Sequence, residues 1–438
     1  MQLTIEKLIY GADGLARLPA DEHGPGKAVF LPFVLGGEKV EADLLEQKPG
    51  FARARATTIL EASLHRVAPA CPYFERCGGC HYQHAAYEHQ LEVKAAILRE
   101  SLRRTARLEW PGEIRLHSGQ PFKYRNRARL AVRGGRNFAL GYHKLGTHEL
   151  LAVEQCPISS PLINRAVIAL WELGRADNVG RAIFEIELFA DAEDARLLAE
   201  VSVLAEQEGA GRQYLAEFAG WLRERLPAVA GVAVFRKSRE GPLVRMEFPE
   251  KLLPNLGADS LIYRTASAQY QVSAGSFFQP NRFLVDRLAE LVTAGRTGSQ
   301  ALDLYAGVGL FSLLLSQNFR EVTAVETAPF AHHDLRHNSP SNVTAVRATA
   351  DRFLASLPEG VRYDFIVVDP PRTGLGEKVA RTLARLAAPR ITYVSCDPAT
   401  LSRDLRVLLE SGYRVEEIHL LDLFPQTFHV ESVVQLVR

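Results

Sequence analysis

The chain has 438 residues, more than one hydrophobic core organises, so two or three domains are expected. Apolar residues make up 47% and charged residues 24%, an ordinary globular balance, and a formal net charge of +1 does not by itself point to nucleic acid. No apolar run approaches the roughly 18 residues of a membrane span, and MQLTIEKLIYGADG has neither a basic leader nor an apolar signal core, so a soluble cytoplasmic protein without membrane partners is expected.

Residues 1–62 read as short strands at Thr4–Tyr10, Ala28–Val34, Lys39–Glu46 and Ala52–Glu61, separated by GADG, EHGPG, GGE and KPG. Alternation broken by glycine turns predicts a small β-barrel of the oligonucleotide-binding type. Residues 63–82 are loop-like, and Tyr87–Arg104 has helical periodicity. From about 120 to 268 strands mix with helices at Ser160–Leu173 and Ala210–Arg225. Pro121–Arg136 holds six basic residues and no acidic one, with Phe122 and Tyr124 among them. Guanidinium groups interleaved with rings suit phosphates and unstacked bases, so Arg125 and Arg127 are candidate RNA contacts. A solvated strand face over a few core rings explains the segment equally well.

From 269 onward the pattern becomes regular. A helical stretch over Asn281–Ala294 precedes strands at Ala301–Tyr305, Val322–Glu326, Val343–Ala348, Phe365–Asp369 and Ile391–Ser395. Helices at Leu310–Ser316, Phe330–Asn338, Glu377–Leu386 and Ala399–Leu409 alternate with them, and the end is β-rich at Arg414–Leu421 and Ser432–Val437. Apolar strands alternating with helices predict a parallel, doubly wound α/β sheet, whose ligands sit beyond the carboxyl ends of its strands.

Asp303-Leu-Tyr-Ala-Gly307-Val-Gly309 follows a buried strand and opens a helix, so Gly307 and Gly309 let backbone amides approach a ligand. Glu326 ends the next strand, where an acid can accept from two ribose hydroxyls. Ser312 stands where a dinucleotide site wants its third glycine, which favours S-adenosylmethionine over NAD. Asp351, past the third strand, suits either an adenine amino group or a helix cap. Asp369-Pro-Pro-Arg372 ends the fourth strand, and its prolines deliver Asp369 to the crevice. Ser395-Cys396-Asp397-Pro398 ends the fifth and puts Cys396 at a helix N-terminus, capped by Asp397. A thiolate there can add to carbon 6 of a uracil and make carbon 5 nucleophilic towards a methyl donor. A base must then remove the carbon-5 proton. Glu431 is the preferred base, with His429 two residues away as the alternative.

The five cysteines split into Cys71, Cys77, Cys80 and Cys156 near the start and Cys396 far away. An odd number without a signal sequence argues against a disulfide framework. Four thiolates with Cys-Pro pairs and Gly78-Gly79 suit a metal site, and spacing leaves zinc and an iron–sulfur cluster open.

Together these stretches, with Ser276-Phe-Phe-Gln-Pro-Asn281 and His429-Val-Glu431, resemble the RNA 5-methyluridine methyltransferases that act on ribosomal RNA or on the T-loop of transfer RNA. The resemblance runs nearly end to end. It implies Cys396 as nucleophile, Glu431 as base, Gln279, Tyr305, Glu326 and Asp369 at the cofactor, and Phe277 against the flipped uracil. It also implies a [4Fe-4S] cluster on the four cysteines, in a structural or RNA-folding role. The implied fold is an N-terminal OB-type, TRAM-like barrel (1–62), a central α+β iron–sulfur domain (63–268) and a class I, Rossmann-like methyltransferase domain (269–438). A helical part near 90–118 is lent to the last of these. A monomer acting on RNA, ribosomal RNA ahead of transfer RNA, is the implied working form. Leu310 departs from the pattern, since relatives often place a polar residue there. Two other readings remain open on the sequence: an RNA-binding or chaperone protein with a lapsed site, and an RNA cytosine-C5 methyltransferase.

Overall fold

The computed structural model describes residues 1–18, 26–204, 211–237 and 243–438. Most of the EHGPG turn and Ala210, the expected start of a helix, lie outside the described residues. Near the N-terminus, strands Gln2–Thr4, Lys7–Leu8, Gly14–Arg17, Ala28–Leu31, Lys39–Gln47 and Phe51–Glu61 form one sheet. Gln2–Thr4 pairs with residues 39–41 at one edge, while Lys7–Leu8 pairs with residues 14–15 at the other. One run of chain therefore supplies both edges, and the Glu6 amide donates to the Leu15 carbonyl at 2.7 Å between them. Among the described residues the sheet thus curls so that its two edge strands follow one another. Ala42, Ala52 and Ala54 keep its core of Leu3, Ile5, Val29, Leu31 and Val40 narrow. The strand expected over Thr4–Tyr10 is thus split between two partners.

Seven strands form the central sheet, in the order Leu150–Ala152, Ala139–His143, Arg127–Arg133, Ile183–Ala190, Leu197–Leu204, Val229–Lys237, Leu243–Arg245. Helices Pro161–Arg175 and Arg212–Arg225 bury Leu162, Ile163, Leu170, Phe218 and Leu222 against it. Ser160 caps the first of them, its side chain accepting from the Ile163 amide.

The third large sheet has the order Val343–Arg347, Phe319–Glu326, Gly298–Leu304, Phe365–Val368, Arg390–Ser395, Glu431–Val437, Arg414–Leu421, Ile114–His117. The first five strands run parallel and Glu431–Val437 is antiparallel to its neighbours. Helices cover both faces, so Phe365–Val368 is buried along its whole length. Ile114–His117 joins the edge, parallel to Arg414–Leu421. The Tyr87–Ser101 helix and the π-helical turn Leu102–Ala106 bring Leu98, Leu102 and Ala106 into the same core as Leu401, Leu405 and Ile418. Residues 87–117 thus pack on the far end of the chain. The helix expected from Asn281 starts later and spans Val285–Thr293. Asn281 instead ties the chain down, accepting from the Phe283 amide at 3.0 Å and donating to the Leu423 carbonyl at 3.2 Å. No described helix is long and apolar enough to cross a membrane.

Candidate active site

Two crevice walls meet at the carboxyl ends of the parallel strands. On one, the chain leaves the Gly298–Leu304 strand through Tyr305, Gly307 and Gly309, with φ of 65°, 57° and 97°. Glycine adopts that region freely; Tyr305 does so at a cost of order 1–3 kcal/mol, a strain that clusters at binding sites. Glu326 fixes the turn, its carboxylate accepting from the Gly307 amide at 2.9 Å and the Ala328 amide at 2.6 Å. Asp303 is fully buried and accepts from the Ser312 hydroxyl at 2.5 Å. Its other oxygen, Oδ1, has no partner. Burial pushes the Asp303 carboxyl up to about 7, against the pull of Ser312. Ser312, where a dinucleotide site wants glycine, thus serves Asp303. Leu310 is buried in the core, and its carbonyl accepts from the Tyr270 hydroxyl at 3.0 Å.

Asp369 lies beyond the neighbouring strand, half-buried, with Gln279 Nε2 donating to it at 3.4 Å. Burial and the nearby Asp303 raise its proton affinity. Gln279 belongs to a loop held by Asp334, which accepts from the Ser273 amide at 2.8 Å and from the Ser273 and Ser276 hydroxyls at 2.5 Å each. Phe277, on that loop, is 61% exposed.

On the other wall, Asp397 caps the Pro398–Glu410 helix, its Oδ1 accepting from the Ala399 and Thr400 amides at 3.0 and 2.8 Å. Cys396, just before it, is half-buried, and its thiol is pushed up to about 12 by burial first, then by Glu431 and Asp369. Arg372 is the neighbouring cation that favours the thiolate. Glu431 opens the last strand, buried, its carboxyl held well above the usual range by burial and by Asp369. The Arg372 guanidinium donates to His429 at 3.1 Å. Burial and that cation push the imidazole down to about 3, which leaves His429 a poor base. Tyr10, from the N-terminal barrel, donates to Asp397 Oδ2 at 2.9 Å and meets Phe428 edge-on.

Cys71, Cys77, Cys80 and Cys156 line a separate cavity of about 460 Å³, together with Arg125 and Tyr142. No disulfide joins them. Burial raises three of the thiols, Cys77 to about 11 and Cys80 to about 12, and neighbouring thiols add to the rise. Among the described residues, no three His, Cys, Asp or Glu side chains stand close enough to hold one metal ion.

Residues 86–438 match the family model described as tRNA (Uracil-5-)-methyltransferase. The chain belongs to this family. It is 32% identical to a protein of Aquifex aeolicus named an uncharacterized RNA methyltransferase, over 100% of this chain and 98% of that one. It is also 32% identical to the 23S rRNA (uracil(1939)-C(5))-methyltransferase RlmD of Chromohalobacter salexigens, over 100% and 89%. The fold is shared over the full length of both chains with the tRNA (uracil-54, C5)-methyltransferase of Pyrococcus abyssi, solved with S-adenosyl-L-homocysteine, at a TM-score of 0.75 and 23% identity. The protein is therefore an RNA uracil-C5 methyltransferase built on the α/β methyltransferase fold.

In this methyltransferase Cys396, Glu431 and Asp369 lie within electrostatic reach of one another, Gln279 bonds Asp369, and Glu326 bonds the turn that holds Tyr305, Gly307 and Gly309. Three of the expected contact residues have partners of their own. Asp351 pairs with exposed Lys378 at 2.9 Å, and Thr349 rather than Asp351 caps its helix. Arg127 turns inward, bound to Glu187, to Glu200 at 3.1 Å and to the Ser276 carbonyl at 2.6 Å. Arg125 lines the cysteine cavity. Two buried glutamates take up the charge of Arg127. Sequence reading leaves out Arg372 and Tyr10. Arg372 is signalled by its place after Asp369-Pro-Pro; nothing in the sequence ties Tyr10 to Asp397.

Proposed function

We propose that this enzyme transfers a methyl group from S-adenosylmethionine to carbon 5 of an RNA uridine through a transient bond between Cys396 Sγ and carbon 6. The observation that carries this reading is the convergence of Cys396, Glu431, Asp369 and Arg372 beside the left-handed Tyr305–Gly309 turn. The turn suits the cofactor: Asp303 Oδ1 is an orphaned buried oxygen, and a side chain at Gly307 would project into open space. Glu326 at the ribose, with Tyr305, Gln279 and Asp369, would hold S-adenosylmethionine, whose sulfonium supplies an electrophilic methyl. Asp351, paired with exposed Lys378 and close to Tyr305, would stand at the adenine.

Exposed Phe277 packs on the uracil once it is turned out of its stack. Cys396 attacks carbon 6 as a thiolate, favoured by Arg372. The electron pair displaced from the carbon 5–carbon 6 bond then makes carbon 5 the nucleophile for the methyl. Glu431 takes the carbon-5 proton, that pair re-forms the double bond, and the thiolate leaves. Across the cycle one proton is released. The identity to relatives named for 23S rRNA favours ribosomal RNA over transfer RNA, and the counterpart of their uridine is the first candidate.

We assign the cysteine cavity to a [4Fe-4S] cluster. One zinc ion draws four thiolates to about 2.3 Å from a single point. A cubane seats each on its own iron; the four cysteines line one cavity, and the resemblance to the iron–sulfur branch of the family favours the cluster. The Arg125 guanidinium on the wall offsets the charge of such a group. The barrel is read as OB-type, TRAM-like and RNA-binding, within a division at 1–62, 63–268 and 269–438, and the enzyme as a cytoplasmic monomer.

The test is RNA carrying 5-fluorouridine, which cannot lose its carbon-5 substituent. The enzyme should form a covalent adduct that survives denaturation, and Cys396→Ser should not. An adduct persisting in that variant removes the nucleophile assignment. Mapping of methylated nucleosides in ribosomal and transfer RNA from cells without the gene names the target, and loss of 5-methylcytidine alone would overturn the uridine.

A further inference from the structure

We propose that Gln90 and Lys94, one turn apart on the Tyr87–Ser101 helix, are positioning residues that hold the 422–430 hairpin so that Glu431 meets the carbon-5 proton. This rests on Glu431 being the base. The hairpin joins the Arg414–Leu421 and Glu431–Val437 strands and carries Phe428 and His429. Glu431 is the first residue beyond it, so the path of residues 422–430 sets where that carboxylate stands.

Lys94 has no solvent exposure, and its ammonium donates to Asp422 Oδ1 at 2.6 Å and to the Phe424 carbonyl at 3.0 Å. Gln90, 1% exposed, answers the Gln426 side chain and main chain together. Its Nε2 donates to Gln426 Oε1, and its Oε1 accepts from the Gln426 amide, both at 3.0 Å. Gln426 is held in the left-handed region, at φ 68°. Its carbonyl accepts from the His81 and Tyr82 amides at 2.9 and 3.0 Å, and the Pro425 carbonyl from the Tyr124 hydroxyl at 3.0 Å. These anchors come from residues 81–124, far from the hairpin in sequence, and Asn281 adds another at the Leu423 carbonyl.

A buried ion pair is a poor device for stability, since well-packed apolar groups often do as well. Asp422 also faces the Tyr87 hydroxyl, from the first residue of the same helix. What a lysine does here that a methionine cannot is bond a side chain and a carbonyl of the same turn at once, fixing its register. A strained, non-glycine residue pinned from three directions at a catalytic hairpin fits that role.

The two halves of the reaction separate the possibilities. Adduct formation on 5-fluorouridine RNA does not use the base; adduct breakdown on ordinary uridine RNA does. The full-length enzyme is mixed with methyl-labelled S-adenosylmethionine and ribosomal plus transfer RNA from cells lacking the gene. Glu431→Gln should accumulate a methylated protein–RNA adduct. Lys94→Met should do the same, with breakdown on the order of 10- to 100-fold slower, while its 5-fluorouridine adduct forms within about threefold of the parent rate. Should Lys94→Met fail to fold, Lys94→Met/Asp422→Asn removes both charges and is read the same way. Breakdown at the parent rate, or formation slowed as much as breakdown, overturns the clamp. If Glu431→Gln accumulates adduct and the lysine variants do not, the clamp alone falls. If Glu431→Gln accumulates none, the base assignment falls and the clamp with it.

Discussion

Replacing Asp303 with asparagine should stabilise the protein at pH 8 and bring no such gain at pH 5. The parent carboxyl is buried, half-partnered by Ser312 and close to Glu326, and its pKa rises from 3.8 to about 7. Between those values the folded chain keeps a proton that the unfolded chain has lost, so stability falls as pH rises through that window. Three units at about 1.4 kcal/mol each amount to about 4 kcal/mol once the pH is above 7, of which roughly a third has accrued by pH 5. Asparagine has no proton to lose. It keeps an oxygen for the Ser312 hydroxyl, and its amide in place of the orphaned oxygen costs about 1–3 kcal/mol at every pH. That cost cancels in the comparison between pH values. The stability of the variant relative to the parent should therefore rise by about 2–3 kcal/mol from pH 5 to pH 8. Urea unfolding of both proteins at the two pH values measures it. A difference flat across the range would show that Asp303 is already ionised at pH 5, and with it that burial does not govern this crevice.

Two further outcomes test the neighbouring features. Arg372→Met removes the cation that opposes the upward shifts of Cys396 and Glu431. Adduct formation on 5-fluorouridine RNA at neutral pH should slow on the order of tenfold and its rise with pH should move to higher pH; an unmoved profile refutes the role. Anaerobically purified protein should carry iron and sulfide, and stripping them should speed amide exchange across 422–430, because His81 and Tyr82, next to Cys80, hold the Gln426 carbonyl. Stoichiometric zinc without iron rejects the cluster, and unchanged exchange rejects the link to the hairpin.

The strand ends of the catalytic sheet are legible in the sequence for a physical reason. Strands buried on both faces are short apolar runs, and the residue that follows each run faces the crevice, so Asp369 and Cys396 can be placed by reading where VVD and YVS stop. The helix before them is misplaced because its start is decided by Asn281 bonding to a hairpin about 140 residues later. Ile114–His117 has two exposed residues and no apolar run, and only its neighbour in space makes it a strand. The arginines of 121–136 show the limit of charge reading. Sign and spacing fit phosphate and carboxylate alike, and Glu187 and Glu200, brought to Arg127 by antiparallel pairing, decide for carboxylate.

The crowding of Asp303, Asp369 and Glu431 gains a meaning from the proposed reaction. Asp303 and Glu431 are buried and Asp369 half-buried, each has its proton affinity raised, and Asp369 acts on Glu431 directly. A positive charge brought into such a crevice would lower all of their pKa values and favour the Glu431 carboxylate while a sulfonium is bound. Methyl transfer discharges that sulfonium. Glu431 is then an anion in a buried, acid-lined site with its compensating charge gone, and its affinity for a proton climbs back. The climb comes at the step when the carbon-5 proton must be accepted. A solvated carboxylate near its ordinary pKa would gain little from the change, because water would screen it before and after. The burial that makes Glu431 look ill-suited as a base in the resting protein is what lets it become a strong one after the methyl has moved.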